Sequence, residues 1–103
     1  MREIYITITG MRYYYGNEIL KKGDKVRLVK EPENEHDKEA IEVKLEGLGR
    51  IGYVANSPRT VIGECLSAGR LYDKIGKKAN AEVIHVIPQG AVCRIINKDR
   101  KDL

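Results

Sequence analysis

Three consecutive tyrosines follow an arginine in the stretch GMRYYYGN (10–17). An exposed tyrosine ring can stack on an unpaired nucleic-acid base for ~1–3 kcal/mol without reading the identity of the base. Arg12 can pair with a phosphate or stack on a base. The three tyrosines, Tyr13, Tyr14 and Tyr15, are therefore a candidate platform for base stacking. The alternative is a tyrosine-rich strand edge whose rings pack on the fold while their hydroxyls meet water.

The same run holds half of the six tyrosines in a chain that has no Phe and no Trp. The core must therefore consist mainly of Ile, Val, Leu and Ala. Neighbouring side chains of a strand point to opposite faces, so three in a row cannot all point inward. We expect at least one of Tyr13, Tyr14 and Tyr15 to meet solvent or a ligand.

Negative charge gathers in KEPENEHDKEA (30–40), where it should repel a phosphate chain. A terminal nucleotide, however, has a neutral hydroxyl where an internal one has a phosphate. A carboxylate accepts a hydrogen bond from that hydroxyl and repels a phosphate in the same place. The family resemblance given below implies this selecting role for Asp37, with Asn34 as a neutral partner. The alternative, compatible with the first, is that Asp37 shapes the loop by binding backbone amides. The glutamates are expected to point outward as a solvated face.

Metal and catalytic chemistry are not indicated. Cys65 and Cys93 lie in apolar contexts that favour reduced core residues, and with His36 and His85 they lack metal-ligand spacing. The acidic loop, which mixes Asn, His and Lys with its carboxylates, is a poor metal cage. The sequence has no Walker-type glycine loop and no nuclease-like carboxylate cluster. We therefore predict a protein that is not an enzyme and needs no cofactor.

The net charge is +4, which is compatible with a polyanionic partner but indicates it only weakly. Lys74, Lys77 and Lys78 either widen the electrostatic footprint or form an ordinary solvated face. The chain has no apolar run of ~18 residues that would cross a membrane and no signal-peptide pattern. We expect a cytoplasmic protein with one domain over residues 1–97 and a charged tail over 98–103.

Alternating apolar residues and turn signals predict a mainly β fold with one or two short helices, in a small OB-like or SH3-like β-barrel of about six strands. Barrel closure would remove the exposed edges of so short a sheet. Pro88-Gln89-Gly90 predicts a tight hairpin with a bulge. The predicted strands cover residues 3–9, 25–31, 40–46, 50–55, 81–87 and 91–96.

One helix is predicted from Ser57, a capping residue, through Pro58 at the first helical position to Gly69. Arg59 would then stand near the helix N-terminus, where free amides favour anions, and is a candidate phosphate contact. Ordinary surface exposure of Arg59 is the alternative. A second short turn is expected over residues 71–75.

Taken together, GMRYYYG (10–16), KEPENEHDKEAI (30–41) and RIGYVANSP (50–58) resemble the motifs of the HIRAN domain. The motifs fall in the family's order and span nearly the whole chain. That family occurs in DNA-fork-remodelling translocases and as short stand-alone bacterial proteins. The resemblance implies an OB-like barrel that holds the 3′ end of single-stranded DNA.

The resemblance also implies roles for individual residues. Tyr15 is not expected to bind, because the family often has a small or polar residue there, and His36 replaces a common aromatic and should stack more weakly. The terminal nucleotides would lie along Arg12, Tyr13 and Tyr14, the terminal sugar would face Asn34, His36 and Asp37, and a backbone phosphate would lie near Tyr53.

The sequence thus predicts a module that captures single-stranded DNA, at its 3′-hydroxyl end, by tyrosine stacking and a selecting carboxylate. RNA ends are equally open to stacking, and a larger DNA-processing protein is a further candidate partner, in repair or replication. The alternative function is a non-catalytic protein-interaction barrel that uses the same tyrosines as anchors.

Overall fold

The structure, a computed structural model, describes residues 3–97. Six antiparallel strands form a closed barrel in the spatial order β1-β4-β3-β2-β5-β6. Each predicted strand is present within a few residues of its predicted bounds, so the predicted fold class is confirmed. The strands are β1 (Tyr5–Thr9), β2 (Lys25–Lys30), β3 (Ile41–Leu45), β4 (Gly49–Val54), β5 (Lys78–Ile87) and β6 (Gly90–Asn97).

The barrel interior is aliphatic, because alternate positions of each strand point inward. Ile6 and Ile8 of β1 and Leu28 of β2 are fully buried in one core cluster. Within the described residues both cysteines are free thiols, with Cys93 buried and Cys65 half-buried. Burial raises the pKa of the Cys93 thiol to about 12. No disulfide therefore contributes to this barrel.

Three short helices connect the strands. Two are 3₁₀ turns, Met11–Tyr13 and Asn17–Ile19, which lie between β1 and β2. The α-helix α1 covers Ala68–Tyr72, between β4 and β5. Among residues 3–97, no helix is long and apolar enough to span a membrane.

The predicted helix that begins at Ser57 is wrong. Residues 57–61 form a single turn, in which the Ser57 carbonyl accepts from the amides of Thr60 and Val61. The next amides bind β1 instead of continuing a helix: Ile62 donates to the Thr7 hydroxyl at 3.1 Å, and Leu66 donates to the Tyr5 carbonyl at 2.8 Å. The α-helix begins only after these contacts.

Ser67 caps α1, since its side chain accepts from the Arg70 amide. The helix therefore starts at about the place where the predicted one was to end, and it overlaps the short turn expected over 71–75.

The tight hairpin at Pro88-Gln89-Gly90 is confirmed, with Ile87 paired to Gly90 and a register shift further along β5, between Val83 and His85. The predicted charged tail, 98–103, lies outside the described residues.

Candidate nucleic-acid interface

The three tyrosines lie on a turn and not on a strand. Gly10 precedes the first 3₁₀ turn with a φ of 76°, which favours glycine. Met11 is buried and anchors the turn to the core. The exposed fractions of Tyr13, Tyr14 and Tyr15 are 72%, 40% and 52%. The prediction that at least one of them meets solvent is confirmed, and it holds for all three.

Arg12 lies against the first tyrosine of the run. Its guanidinium carbon is 5.0 Å from the centroid of the Tyr13 ring, and its Nη2 donates a hydrogen bond of 3.0 Å to the Tyr13 hydroxyl. Both side chains are exposed. The pair therefore presents one aromatic face and one cation side by side, which suits a nucleotide.

A cleft of about 420 Å³ opens between the first 3₁₀ turn and the β5–β6 hairpin. Arg12 and Tyr13 line one side of the cleft and Pro88–Gln89 line the other. Asn17, which also lines it, holds the two sides together, because its side-chain amide donates to the Ile87 carbonyl. Sequence reasoning missed Asn17 and the hairpin, since these partners are 70 residues apart in the chain and no local pattern joins them.

On the other side of the tyrosines, the Glu31 carboxylate collects three donors. The Tyr53 hydroxyl donates at 2.9 Å, Asn34 Nδ2 at 3.0 Å and Arg50 Nη2 at 3.0 Å. Only 21% of the Glu31 side chain is exposed. The expectation that this glutamate points outward as part of a solvated face is therefore wrong: it joins β4 to the acidic loop.

Arg50 connects this carboxylate to the tyrosine run. Its Nε donates to Glu42 at 2.7 Å, and its guanidinium carbon lies 5.3 Å from the centroid of the Tyr53 ring. Hydrogen bonding with Glu42, and then with Tyr14, raises the pKa of Arg50. Glu42 is on the outer face of β3, but only 7% of it is exposed.

The Tyr53 hydroxyl is held as a neutral donor. Burial, and next the hydrogen bond and charge of Glu31, raise its pKa to about 12. While it donates to Glu31, this hydroxyl has no second proton, but its oxygen can still accept a hydrogen bond. A phosphate near Tyr53 would therefore need its donor from another side chain.

The acidic loop is shaped by its own side chains. Asn34 Oδ1 accepts from the amides of His36 at 2.8 Å and Asp37 at 3.0 Å, and Asp37 Oδ1 accepts from the Glu39 amide at 2.9 Å. The alternative role of Asp37, as a loop-shaping residue, is thus observed. It leaves the selecting role open, because a carboxylate has about four lone-pair positions.

Asn56 fixes the other side of the Asp37 carboxylate. Its Nδ2 donates to Asp37 Oδ2 at 3.0 Å, and its Oδ1 accepts from the Gly69 amide of α1 at 2.8 Å. The sequence analysis missed Asn56, although it stands in the RIGYVANSP motif. Each oxygen of Asp37 accepts one hydrogen bond in this arrangement, and the half-buried carboxylate keeps room for a further donor.

The structure brings most of the predicted residues to one surface. Thr9, just before the tyrosine turn, is paired with Tyr53, which donates to Glu31. Glu31 also accepts from Asn34, which bonds to the amides of the next predicted residues along the loop. Lys77 borders a shallow cleft with Glu31 and Asn34 and so lies beside this surface. We call the predicted residues of this surface, together with Arg50, the end-binding surface, after the role proposed for them below: Arg12, Tyr13, Tyr14, Asn34, His36, Asp37, Arg50 and Tyr53.

Arg59 is the exception among the predicted residues. It is exposed, and its amide bonds to the Ser57 hydroxyl within a turn. No α-helix begins there, so the reason for choosing Arg59, a helix N-terminus, is wrong. Within residues 3–97, no contact joins its side chain to the end-binding surface. The described residues also contain no group of three metal-binding side chains.

The family model of the HIRAN domain matches residues 1–74, which is most of the chain. The chain therefore belongs to the HIRAN domain family, a family of DNA-binding modules that are generally non-catalytic. A comparison with curated proteins finds no match.

Two solved structures are similar to the barrel. The HIRAN domain of human HLTF is 21% identical, with a TM-score of 0.59 over 90% of this chain and 70% of that one. A protein from Lactobacillus plantarum is 21% identical, with a TM-score of 0.61 over 91% of this chain and 93% of that one. At this identity the likeness shows that the fold is shared.

Proposed function

We propose that the chain captures the 3′-hydroxyl end of single-stranded DNA, with tyrosines against the terminal bases and Asp37 against the terminal sugar. One observation carries the proposal. The tyrosine turn directly follows Thr9, which is paired with Tyr53 on β4, and both Tyr53 and Asn34 of the acidic loop donate to Glu31. The turn and the loop therefore lie on one surface.

Base contact is assigned to the first 3₁₀ turn. Tyr13 is the most exposed of the three tyrosines and borders the cleft opposite Gln89. A base inserted there would stack on the ring, and Arg12, already beside the ring, would meet the adjoining phosphate. Stacking of this kind tolerates any base, so the module would bind ends of many sequences.

Selection of the end is assigned to the acidic side of the surface. A 3′-hydroxyl can donate its single proton to the Asp37 carboxylate. A 3′-phosphate at that place would be repelled by the carboxylates of Asp37 and Glu31. It would also find no hydrogen-bond donor on Tyr53, whose hydroxyl already donates to Glu31. Arg50 compensates only in part, because Glu31 and Glu42 already bind it. Hydroxyl ends should therefore bind more tightly than phosphorylated ones.

The test is a binding titration of the full chain with labelled oligonucleotides, measured by fluorescence anisotropy at several salt concentrations. A single strand with a free 3′-hydroxyl should bind best, and the same strand with its 3′ end closed in a hairpin should bind weakly. Affinity should fall with salt as counterions are released. Equal binding of open and closed ends would refute end capture, and salt-independent binding would favour a tyrosine-anchored protein interface. An RNA arm of the same titration shows whether the 2′-hydroxyl matters.

A further inference from the structure

A second charged surface lies on the outer side of β2 and β3, away from the tyrosine cleft. It is a groove of about 500 Å³ that reaches the β3–β4 turn at Gly47 and Gly49. We call it the basic groove; its charged and polar lining consists of Lys25, Arg27, Lys44, Glu46 and Asn80.

The cations of the basic groove repel one another and so destabilise the sheet. Arg27 and Lys44 stand directly opposite each other on neighbouring strands, an arrangement of like charges that destabilises a sheet. Within residues 3–97, Arg27 and Lys25 form no salt bridge, and Lys44 has one long contact of 3.9 Å to Glu42. Lys25 is opposite Glu82, but that carboxylate binds Arg94 at 2.8 Å. An anion in the groove would relieve this repulsion.

The basic groove is continuous with the end-binding surface. Arg50 on β4 is paired with Lys44 on β3, which is paired with Arg27 on β2, which is paired with Asn80 on β5. Neighbouring strands are ~4.8 Å apart, so this row spans about 14 Å. At one end of the row, Arg50 lies over the Tyr53 ring. A polymer whose end is held near Tyr53 can therefore cross the sheet along the row.

We propose that the basic groove holds the phosphodiester backbone of the nucleotides that precede the captured 3′ end. The proposal rests on the proposed function, because the end-binding surface fixes where the strand stops. Glu46 lies where the groove meets the β3–β4 turn. Its negative charge would repel phosphates from the turn and so favour their binding to the cations of β2 and β3. The chain would then bind a short strand by its end alone and a longer strand by both surfaces.

The experiment compares a 3-nucleotide and a 12-nucleotide strand with a free 3′-hydroxyl, and the same 12-mer with its 3′ end closed in a hairpin, on the full chain and two double variants. Arg27→Gln with Lys44→Gln removes the opposed cations. The matched control is Lys21→Gln with Lys22→Gln, which removes the same charge from two exposed residues outside the groove. The groove variant should lose about fivefold or more in affinity for the 12-mer and nothing for the 3-mer. The slope of log affinity against log salt should decrease by about 1.4, since each single-strand phosphate contributes ~0.7.

Each outcome decides one of the two proposals. If the groove variant binds the 12-mer as the unchanged chain does, or if the Lys21 and Lys22 control loses as much, the groove proposal is overturned. If the unchanged chain binds the open and the closed 12-mer equally and does not bind the 3-mer, end capture fails. The affinity of the Arg27 and Lys44 variant for the 12-mer then still decides whether the groove binds the backbone. Absence of binding to either strand overturns both.

Discussion

At the scale of single residues, Glu31 organises the end-binding surface. Its carboxylate accepts from Asn34 within the loop and from Arg50 and Tyr53 on β4, 19 and 22 residues further along the chain. A buried or half-buried carboxylate with three donors is well satisfied, and removal of it would leave those donors without their acceptor. Glu31 thus positions the residues that we expect to meet the nucleotide.

Tyr13 is expected to contribute to binding and not to folding. Tyr13→Ala should weaken binding of a 3′-hydroxyl strand by ~1–3 kcal/mol through lost stacking. The melting temperature should not change, because 72% of the side chain is exposed. Anisotropy titration and thermal melting measure the two effects.

The control for this change is Tyr15→Ala, which removes a second exposed ring whose hydroxyl makes only a 3.4 Å contact to the Leu48 carbonyl. Tyr15→Ala should leave the affinity nearly unchanged. An equal loss in both variants, or a lower melting temperature for Tyr13→Ala, would show that the assigned base platform is wrong.

Tyr53 should ionise at a higher pH than an ordinary tyrosine. Its pKa in the folded chain is raised from 10.0 to about 12. Since the folded state keeps the proton more tightly, the stabilisation is complete below pH 10 and is lost as the pH rises through about 12. In an absorbance titration of tyrosinate, Tyr53→Phe should remove a tyrosine that ionises near pH 12. Loss of one that ionises near pH 10 would contradict the contact with Glu31.

At the scale of elements, the strands could be predicted and the helix could not. The alternation of Ile4, Ile6 and Ile8 is a local pattern that predicts a pleated strand. The structure has β1 there, with these three side chains in or against the core. The predicted helix from Ser57 also had local signals, a capping serine and a proline at its first position. Its amides are taken by the Thr7 hydroxyl and the Tyr5 carbonyl, and a partner on β1 cannot be inferred from the helix sequence alone.

The same limit applied to the site. Residue types indicated Arg12, Tyr13 and Tyr14, because their chemistry is visible in the sequence itself. The cleft wall at Gln89 and the bracing residue Asn56 carry no such signal: each becomes part of the site only when the barrel closes. The structure places all the predicted residues except Arg59 on this surface, whereas their contact with nucleic acid stays a prediction.

Gly52 connects the core of β4 to the tyrosine turn. A Cβ at this position would lie 2.8 Å from the Thr9 carbonyl oxygen, 2.9 Å from Ile8 Cγ2 and 3.2 Å from Met11 Cγ. Gly52→Ala must therefore shift buried groups, including the one that anchors the turn. We expect a loss of ~1–3 kcal/mol in the free energy of unfolding, measured by urea denaturation, together with weaker binding.

Gly69→Ala is the control, because the atoms nearest to the added Cβ belong to the flexible carboxylate of Glu39. That variant should be about as stable as the unchanged chain or slightly more so, since alanine favours a helix. Equal destabilisation by the two substitutions would contradict the close packing assigned to Gly52.

At the scale of the whole molecule, the strand order brings the tyrosine turn and the acidic loop to one face. β4 lies between β1 and β3, so Thr9 at the end of β1 is paired with Tyr53. β3 lies between β4 and β2, and the loop from Glu31 joins β2 to β3. The tyrosine turn that follows β1 and the acidic loop that follows β2 therefore meet at β4. Closure of the barrel, rather than any single motif, brings the aromatic and acidic groups together.

The central claim is that a single carboxylate on this face recognises an uncapped 3′ end. The most direct measurement is the ratio of the dissociation constants of two 12-mers that differ only in a 3′-phosphate or a 3′-hydroxyl. It is made for the unchanged chain, for Asp37→Ala and for Asn56→Ala, which removes a brace of the loop but keeps the carboxylate. All three proteins are first shown to be folded by thermal melting.

A hydrogen bond to a charged group contributes ~1.5–3 kcal/mol, so the unchanged chain should favour the hydroxyl end by about tenfold or more. Asp37→Ala should bring the ratio close to one, while Asn56→Ala should keep most of it. A ratio near one for the unchanged chain, or a ratio that Asp37→Ala leaves as it was, would contradict recognition of the end by this carboxylate.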